Sequence, residues 1–253
     1  MQIVYSHAFD KGEYSGDPAA EQSRFDSIGA MIEAETRGKF LEPKPAKKAD
    51  ILRVHTASHY DEIAGDKYLL DMALLAAGGA IDAAELAWSG TPAFAAIRPP
   101  GHHASPGSAW GFCFFNNIAV AIKKLLADGK IGSAFILDFD LHFGDGTANI
   151  FSSSKEVEYF HPDSMVSETF ISDIEERFAE VKGYDILAVS AGFDRYIDDW
   201  GRLLKRSDYT TIGKLCKQFS NEKCKGRRFA VLEGGYNFTE LGANIKAFCD
   251  GFS

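Results

Sequence analysis

Cysteine is scarce in this sequence, and basic residues are outnumbered by acidic ones. The four cysteines, Cys113, Cys216, Cys224 and Cys249, form no C-x-x-C pair. That spacing excludes a thiolate zinc cluster and a disulfide framework, and leaves reduced, mostly buried thiols as the expectation. Lys and Arg number 27 against 36 Asp and Glu, a formal net charge of −9 with His neutral. An acidic balance argues against direct nucleic-acid binding, which uses a basic surface. It suits cationic ligands, and a bound divalent ion would offset carboxylates gathered in a site. Long apolar runs are also missing, so no stretch is expected to span a membrane. The first residues, MQIVYSHAFD, lack a basic segment followed by an apolar one, so no secretory signal is expected. A cytoplasmic protein is the corresponding expectation.

No repeat or low-complexity tract interrupts the 253 residues, a length that one α/β unit accommodates. The Lys- and Pro-rich stretch Lys39–Asp50 is expected as an exposed loop rather than a linker. Short apolar runs rich in β-branched and aromatic residues predict strands at Ile3–Tyr5, Ala93–Ile97, Ala134–Leu137, Ile186–Val189 and Phe229–Leu232. Helical patterns lie between them at Pro18–Glu35, Asp66–Trp88, Asn117–Ala127, Ser207–Phe219 and Thr239–Phe248. This alternation predicts a mostly parallel sheet covered by helices on both faces.

Four predicted strands are each followed at once by a polar or glycine-rich cluster: RPPGHHA, DFDLHFGDG, AGFD and EGGYN. Ligands of open parallel sheets bind outside the carboxyl ends of the strands. The four clusters are therefore expected to meet at one sheet edge.

Within them, Asp138, Asp140 and His142 alternate with Phe139 and Leu141. In an extended segment alternate side chains share a face, so these three face one point. Asp and His are ligands for Zn²⁺ and similar ions, and Asp194 at another strand end can complete a three-ligand set with an open position. Alone, such a string is equally a solvated strand end. His102 and His103, adjacent in a Pro/Gly-bounded loop, can act as general base or acid when a carboxylate holds the other ring nitrogen. Asp138 and Asp145 are available for that. Tyr236 follows Gly234 and Gly235, which allow a close backbone approach, and its hydroxyl could donate to a developing oxyanion. A lone GGY is otherwise an ordinary turn. His55 and His59 are four apart but lack the glutamate of H-E-x-x-H, and with His7 they are expected to be structural.

Taken together and in order, RPPGHHA, GFCFFNN, DFDLHFGDGT, SAGFD and LEGGYN resemble the zinc-dependent histone deacetylase and acetylpolyamine amidohydrolase family, on the side of its class II and bacterial branches. The likeness runs from VHTASHY near residue 54 onward and reaches Arg24, which is similar to an arginine near the family's pocket floor. It implies a three-layer α/β/α arginase-like fold and a single catalytic domain over residues 1–253. It implies metal ligation by Asp140, His142 and Asp194, with Zn²⁺, or Fe²⁺ or Co²⁺, as the ion. It implies His103 as general base and then acid, oriented by Asp145, with His102 paired to Asp138 beside it. It implies Tyr236 as the carbonyl-polarising hydroxyl, and Gly111 and Phe112 as lining of an acyl tunnel. It also implies K⁺ or Na⁺ on backbone oxygens near Asp138, Asp140 and His142 and near Phe151, with His161 close to the inner such site. The implied activity is hydrolysis of an acetyl or related acyl group from lysine or another amine.

The chain departs from this pattern in two places. The segment HPDSMVSETF is short and lacks the Pro/Gly-rich stretch whose aromatic residue forms the family's second tunnel wall. Phe170 is a weak substitute, so an open, permissive tunnel is expected. Near the rim, DRYIDDWGRLL offers Asp198 and Asp199 but no glutamate where acetylpolyamine-specific members carry an acidic gatekeeper. Acetylpolyamine hydrolysis is the nearest alternative activity. An acyl-lysine-binding module without catalysis is the alternative of another class. A dinuclear ureohydrolase is disfavoured, because Asp145 falls one residue too late for its D-x-H-x-D string.

Overall fold

The computed structural model describes residues 1–253. Six parallel strands form one sheet in the order β1-β2-β6-β5-β3-β4. They are β1 Gln2–Val4, β2 Ala93–Ala95, β3 Ala134–Asp138, β4 Val157–Phe160, β5 Ile186–Ala191 and β6 Arg228–Leu232. The helices are α1 Asp26–Thr36, α2 Lys48–Ile51, α3 Ala57–Ile63, α4 Lys67–Trp88, α5 Asn117–Ala127, α6 Asp145–Phe151, α7 Ser167–Glu180, α8 Arg206–Lys223 and α9 Phe238–Phe252. Every residue of β2, β3, β5 and β6 is buried, as in a parallel sheet covered on both faces.

The helices fall into two packed sets, α4 with α5, and α1 against α9, α9 against α8 and α8 against α7. Phe135 of β3 meets Phe178 of α7 and Phe219 of α8, with ring centroids 5.8 and 5.5 Å away. Fully burying one such ring contributes roughly 1.5–3 kcal/mol. Polar side chains start the helices: Asp66 accepts from the amides of Tyr68 and Leu69, Asn116 from Ala119, and Asn237 from Glu240. No helix is long and apolar enough to cross a membrane. All four cysteines are buried and free.

Two expectations are corrected. The helix predicted from Pro18 begins only at Asp26, after one tight turn at Gln22–Phe25. Its would-be first carbonyls are taken by the buried Arg98, whose Nη1 donates to Ala20 O at 2.6 Å and Glu21 O at 3.1 Å. The segment after His161 is not only a loop, since α7 starts at Ser167. Phe170, Ile174 and Phe178 form its buried stripe at a spacing of four. Phe170 is fully buried, so it forms no channel wall.

Candidate active site

The clusters after β2, β3, β5 and β6 belong to four consecutive strands of the sheet. Their side chains meet at its carboxyl edge, as the sequence predicted. Asp140, His142 and Asp194 bring one ligand atom each within 4.8 Å of one another. Backbone amides orient the carboxylates. Asp140 Oδ1 accepts from His142 N at 2.9 Å and Oδ2 from Gly234 N at 2.8 Å. Asp194 Oδ1 accepts from Leu141 N at 3.0 Å. A side chain at Gly234 would bring its Cβ to 2.6 Å from Asp140 Oδ2 and 2.7 Å from Asp194 Oδ2, so only glycine allows this approach.

The donor set fits a divalent ion. Asp140 and Asp194 are 1% and 0% exposed, and Asp194 Oδ2 has no hydrogen-bond partner. His142 Nδ1 lies 3.2 Å from that oxygen and 3.3 Å from Asp140 Oδ1. Burial and the charge of Asp140 push Asp194 up to about 7, while Asp140 and Asp194 push His142 up to about 10. A buried pair of carboxylates with an imidazole beside it and one unpartnered oxygen has the donor chemistry of a divalent-cation site.

Beside this set, His102 Nδ1 is 3.1 Å from Asp138 Oδ2, which also accepts from Tyr159 Oη at 2.9 Å. Burial opposes charging of His102, but Asp140 and Asp138 raise its pKa well above the ordinary value. His103 Nδ1 is 2.7 Å from Asp145 Oδ1. Burial and the neighbouring His102 push His103 down to about 4, so it is neutral at pH 7 and able to accept a proton. Their surroundings thus shift the two adjacent histidines in opposite directions, the arrangement expected of an acid/base site.

Gly111 and Phe112 both adopt left-handed backbone conformations, with φ of 59° and 67°. At Gly111 a Cβ would collide with the His103 ring. Phe112 meets Tyr236 edge to face at 6.0 Å. A cavity of about 120 Å³ is lined by Pro100, His102, His103, Trp110, Gly111, Phe112, His142, Trp200, Gly234 and Tyr236. Of the ten residues expected at the site, six line this cavity, and the carboxylates of Asp138, Asp140, Asp145 and Asp194 each contact one of its histidines. His55, His59 and His161 do not line it. His55 instead bridges Ser105 O and Asn116 N, and His59 contacts Phe114 O.

Several contributors went unnoticed in the sequence. Trp110 stacks on His103 with ring centroids 3.9 Å apart and donates to Asp145 Oδ2 at 2.9 Å. Trp200, half exposed, adds an aromatic side chain to the lining from the loop after β5, where the sequence offered only Phe112 as a wall. Glu233, fully buried, accepts from the amides of Gly101 and His102 and ties β6 to the histidine loop. Arg24, which the sequence had already placed near the pocket floor, donates to Glu233 O and Gly235 O at 2.6 and 2.9 Å, supporting the turn before Tyr236. Asp140 O, near the backbone oxygens expected for a monovalent ion, is held by Arg195 at 3.0 Å. The available signals were aromatic residues flanking Gly111 and Asp199, and an arginine directly after Asp194.

Residues 61–170 match the histone deacetylase domain. A probable deacetylase of Archaeoglobus fulgidus is 32% identical over 90% of this chain and 77% of its own. A probable deacetylase of Methanothermobacter thermautotrophicus is 30% identical over 99% of this chain and 90% of its own. The crystal structure of the HDA15 HD domain superposes with a TM-score of 0.83 at 23% identity, covering 98% of this chain and 88% of that one. That likeness shows the shared α/β fold, and the two archaeal relatives, matched over most of their length, show that the chain belongs to the histone deacetylase family.

Proposed function

We propose that the chain is a metal-dependent amidohydrolase that removes acetyl, or a related short acyl group, from lysine side chains or other amines, with Zn²⁺ as its ion and Fe²⁺ or Co²⁺ as substitutes. The observation that carries this reading is the unpartnered Asp194 Oδ2 beside His142 and Asp140, in the same pocket as the His103–Asp145 pair and Tyr236.

Asp140, His142 and Asp194 would hold a divalent ion, which when bound would supply Lewis acidity to the acyl carbonyl and lower the pKa of water. The protein groups do the rest. Asp145 holds His103 Nδ1, which leaves Nε2 to take a proton from water as its oxygen bonds to the acyl carbon. The Tyr236 hydroxyl has no protein partner and donates to the carbonyl oxygen as negative charge builds on it. His103 then passes its proton to the amide nitrogen, the C–N bond breaks, and acetate and a free amine leave. His102 sits between Asp138 and Asp140, whose carboxylates favour its charged form, and in that form adds positive potential beside the oxyanion.

The test is acetate release from acetyl-lysine peptides, acetylpolyamines and small acyl amides, using protein loaded separately with Zn²⁺, Fe²⁺ and Co²⁺. Metal-dependent turnover is expected. Stoichiometric metal with no turnover of any acyl amide would leave a binding module instead.

A further inference from the structure

Arg195 directly follows Asp194 and is 1% exposed. A guanidinium at that depth needs acceptors, because an uncompensated buried charge is strongly destabilising. Arg195 forms no salt bridge with a carboxylate. Its Nε donates to Asp140 O at 3.0 Å, and its Nη2 donates to Leu141 O at 3.4 Å and Pro162 O at 3.1 Å. His161 Nε2 lies 3.3 Å from the same Nη2. The Phe170 ring packs against the guanidinium, 4.6 Å from its carbon to the ring centroid.

These acceptors are not scattered. Asp140 and Leu141 belong to the short segment carrying two of the three metal donors. Pro162 lies just beyond β4, the strand beside β3. The backbone of Arg195 adjoins the third donor. One side chain therefore ties the loop after β5 to the loops after β3 and β4. Main-chain carbonyl oxygens that converge on one point are also how proteins hold monovalent ions. Here the positive charge at that point is covalently part of the chain.

We propose that Arg195 is the fixed cation of this metal centre: its guanidinium fills a cluster of backbone oxygens that a monovalent ion could occupy, and holds the Asp140–His142 segment in register with Asp194 without potassium or sodium. Arg195 touches neither substrate nor metal, so it is a positioning residue acting through the donors. The inference rests on Asp140, His142 and Asp194 being metal donors and not on which amide is cleaved. The planar fork explains why arginine suits the place, since it reaches separate acceptors with fixed geometry, whereas lysine offers a point charge.

The experiment uses the full chain as wild type, Arg195→Met and Arg195→Lys, each stripped of metal. Zn²⁺ affinity is measured by chelator competition, and the unfolding midpoint of the metal-free form by thermal melts. Both are repeated in potassium, sodium and tetramethylammonium chloride at equal ionic strength. Wild type is expected to give the same values in all three salts. Arg195→Met is expected to bind Zn²⁺ about tenfold or more weakly in tetramethylammonium chloride, the scale of losing a group that orients ligands. Potassium or sodium should recover most of that loss and raise its midpoint. Arg195→Lys should stay within a few-fold of wild type. If Arg195→Met is unfolded in tetramethylammonium chloride, recovery of its folded spectrum by potassium or sodium takes the place of the affinity reading. Wild-type Zn²⁺ affinity that depends on the monovalent ion would overturn the proposal. So would an Arg195→Met variant that matches wild type, or a loss that no monovalent salt restores. Absence of deacetylase turnover would sink the functional reading and leave these outcomes readable.

Discussion

Trp200 lies flat on Tyr236, with ring centroids 3.9 Å apart and planes 17° apart. The two residues come from different strand ends, and Asp199 joins them. Its Oδ2 accepts the backbone N–H of Tyr236 at 2.6 Å and of Asn237 at 2.7 Å, while its Oδ1 accepts that of Trp200 at 2.7 Å. Trp200 also stands edge-on to His142 at 6.2 Å. The pocket thus carries Trp200 and Phe112 in its lining despite the short segment after His161.

Trp200→Ala is expected to remove that lining and loosen Tyr236, a stack of about 0.5–1.5 kcal/mol beyond its buried area. A closed apolar slot discriminates by roughly 1–3 kcal/mol per methylene. KM for an acetyl substrate should rise several-fold, and the kcat/KM ratio of acetyl to butyryl substrate should move toward one. Trp200→Phe should keep most of the wild-type ratio. An unchanged ratio in Trp200→Ala, measured over acetyl, propionyl and butyryl substrates, would remove Trp200 from the channel.

Tyr236→Phe should leave bound Zn²⁺ at the wild-type level and lower kcat by roughly a hundredfold, the scale of losing one oxyanion donor. The ring, its Trp200 stack and the Asp199 contacts all survive that change. Asp194→Ala should instead abolish Zn²⁺ binding, read by elemental analysis after dialysis. Equal kcat in Tyr236→Phe would place the hydroxyl away from the carbonyl.

The residues proposed as ligands and acid/base groups are legible in the sequence because they sit in short clusters directly after apolar runs, where a parallel sheet gathers its ligands. Asp138, Asp140 and His142 could be read together because one strand end carries them. The wall residue Trp200 could not, since its position depends on Asp199 bonding a loop 37 residues away in sequence. Arg195 is adjacent to Asp194, yet its acceptors at Asp140, Leu141 and Pro162 are backbone atoms and carry no side-chain signature. The start of α1 was misplaced for the same reason: a guanidinium on the distant Arg98 takes the carbonyls of Ala20 and Glu21. The helix α7 has a legible stripe in Phe170, Ile174 and Phe178, which the short segment HPDSMVSETF only begins.

His55 makes acid stability a measurable property of the scaffold. It is buried, its Nδ1 lies 3.0 Å from Ser105 O, and its Nε2 accepts the amide of Asn116 at 2.9 Å. Those partners require the neutral ring. Burial and the adjacent His59 push its pKa down to about 4 from an ordinary 6.5. Between those values the unfolded chain takes up a proton that the folded chain refuses. The contribution is therefore complete above about pH 6.5 and is lost as pH falls toward 4, by about 3 kcal/mol in all. In His55→Gln, where the side-chain oxygen can still accept from Asn116, the difference in urea-unfolding free energy from wild type should shrink or reverse across that window. A constant difference from pH 7 to 4.5 would contradict this role.

Trp110 offers the most specific test of the His103–Asp145 pair. Its indole N–H donates to Asp145 Oδ2 while Asp145 Oδ1 holds His103 Nδ1, so both oxygens of one carboxylate are fixed. Its ring covers the imidazole, although Trp110 itself is 56% exposed. A catalytic group displaced by about 1 Å can lose as much as a hundredfold in rate, which makes the restraint on Asp145 consequential. Trp110→Phe keeps an aromatic ring in place and loses only the donor. It is expected to lower kcat several-fold with little change in KM, whereas Trp110→Ala should lower kcat further and raise KM. If the donor acts through Asp145, then adding Trp110→Phe to Asp145→Asn should cost less than it does in the wild-type background, since residues sharing one network are not additive. A double variant whose kcat loss equals the product of the two single losses would show that Trp110 only lines the pocket. Measuring bound Zn²⁺ in every variant keeps a lost metal from being mistaken for a lost base.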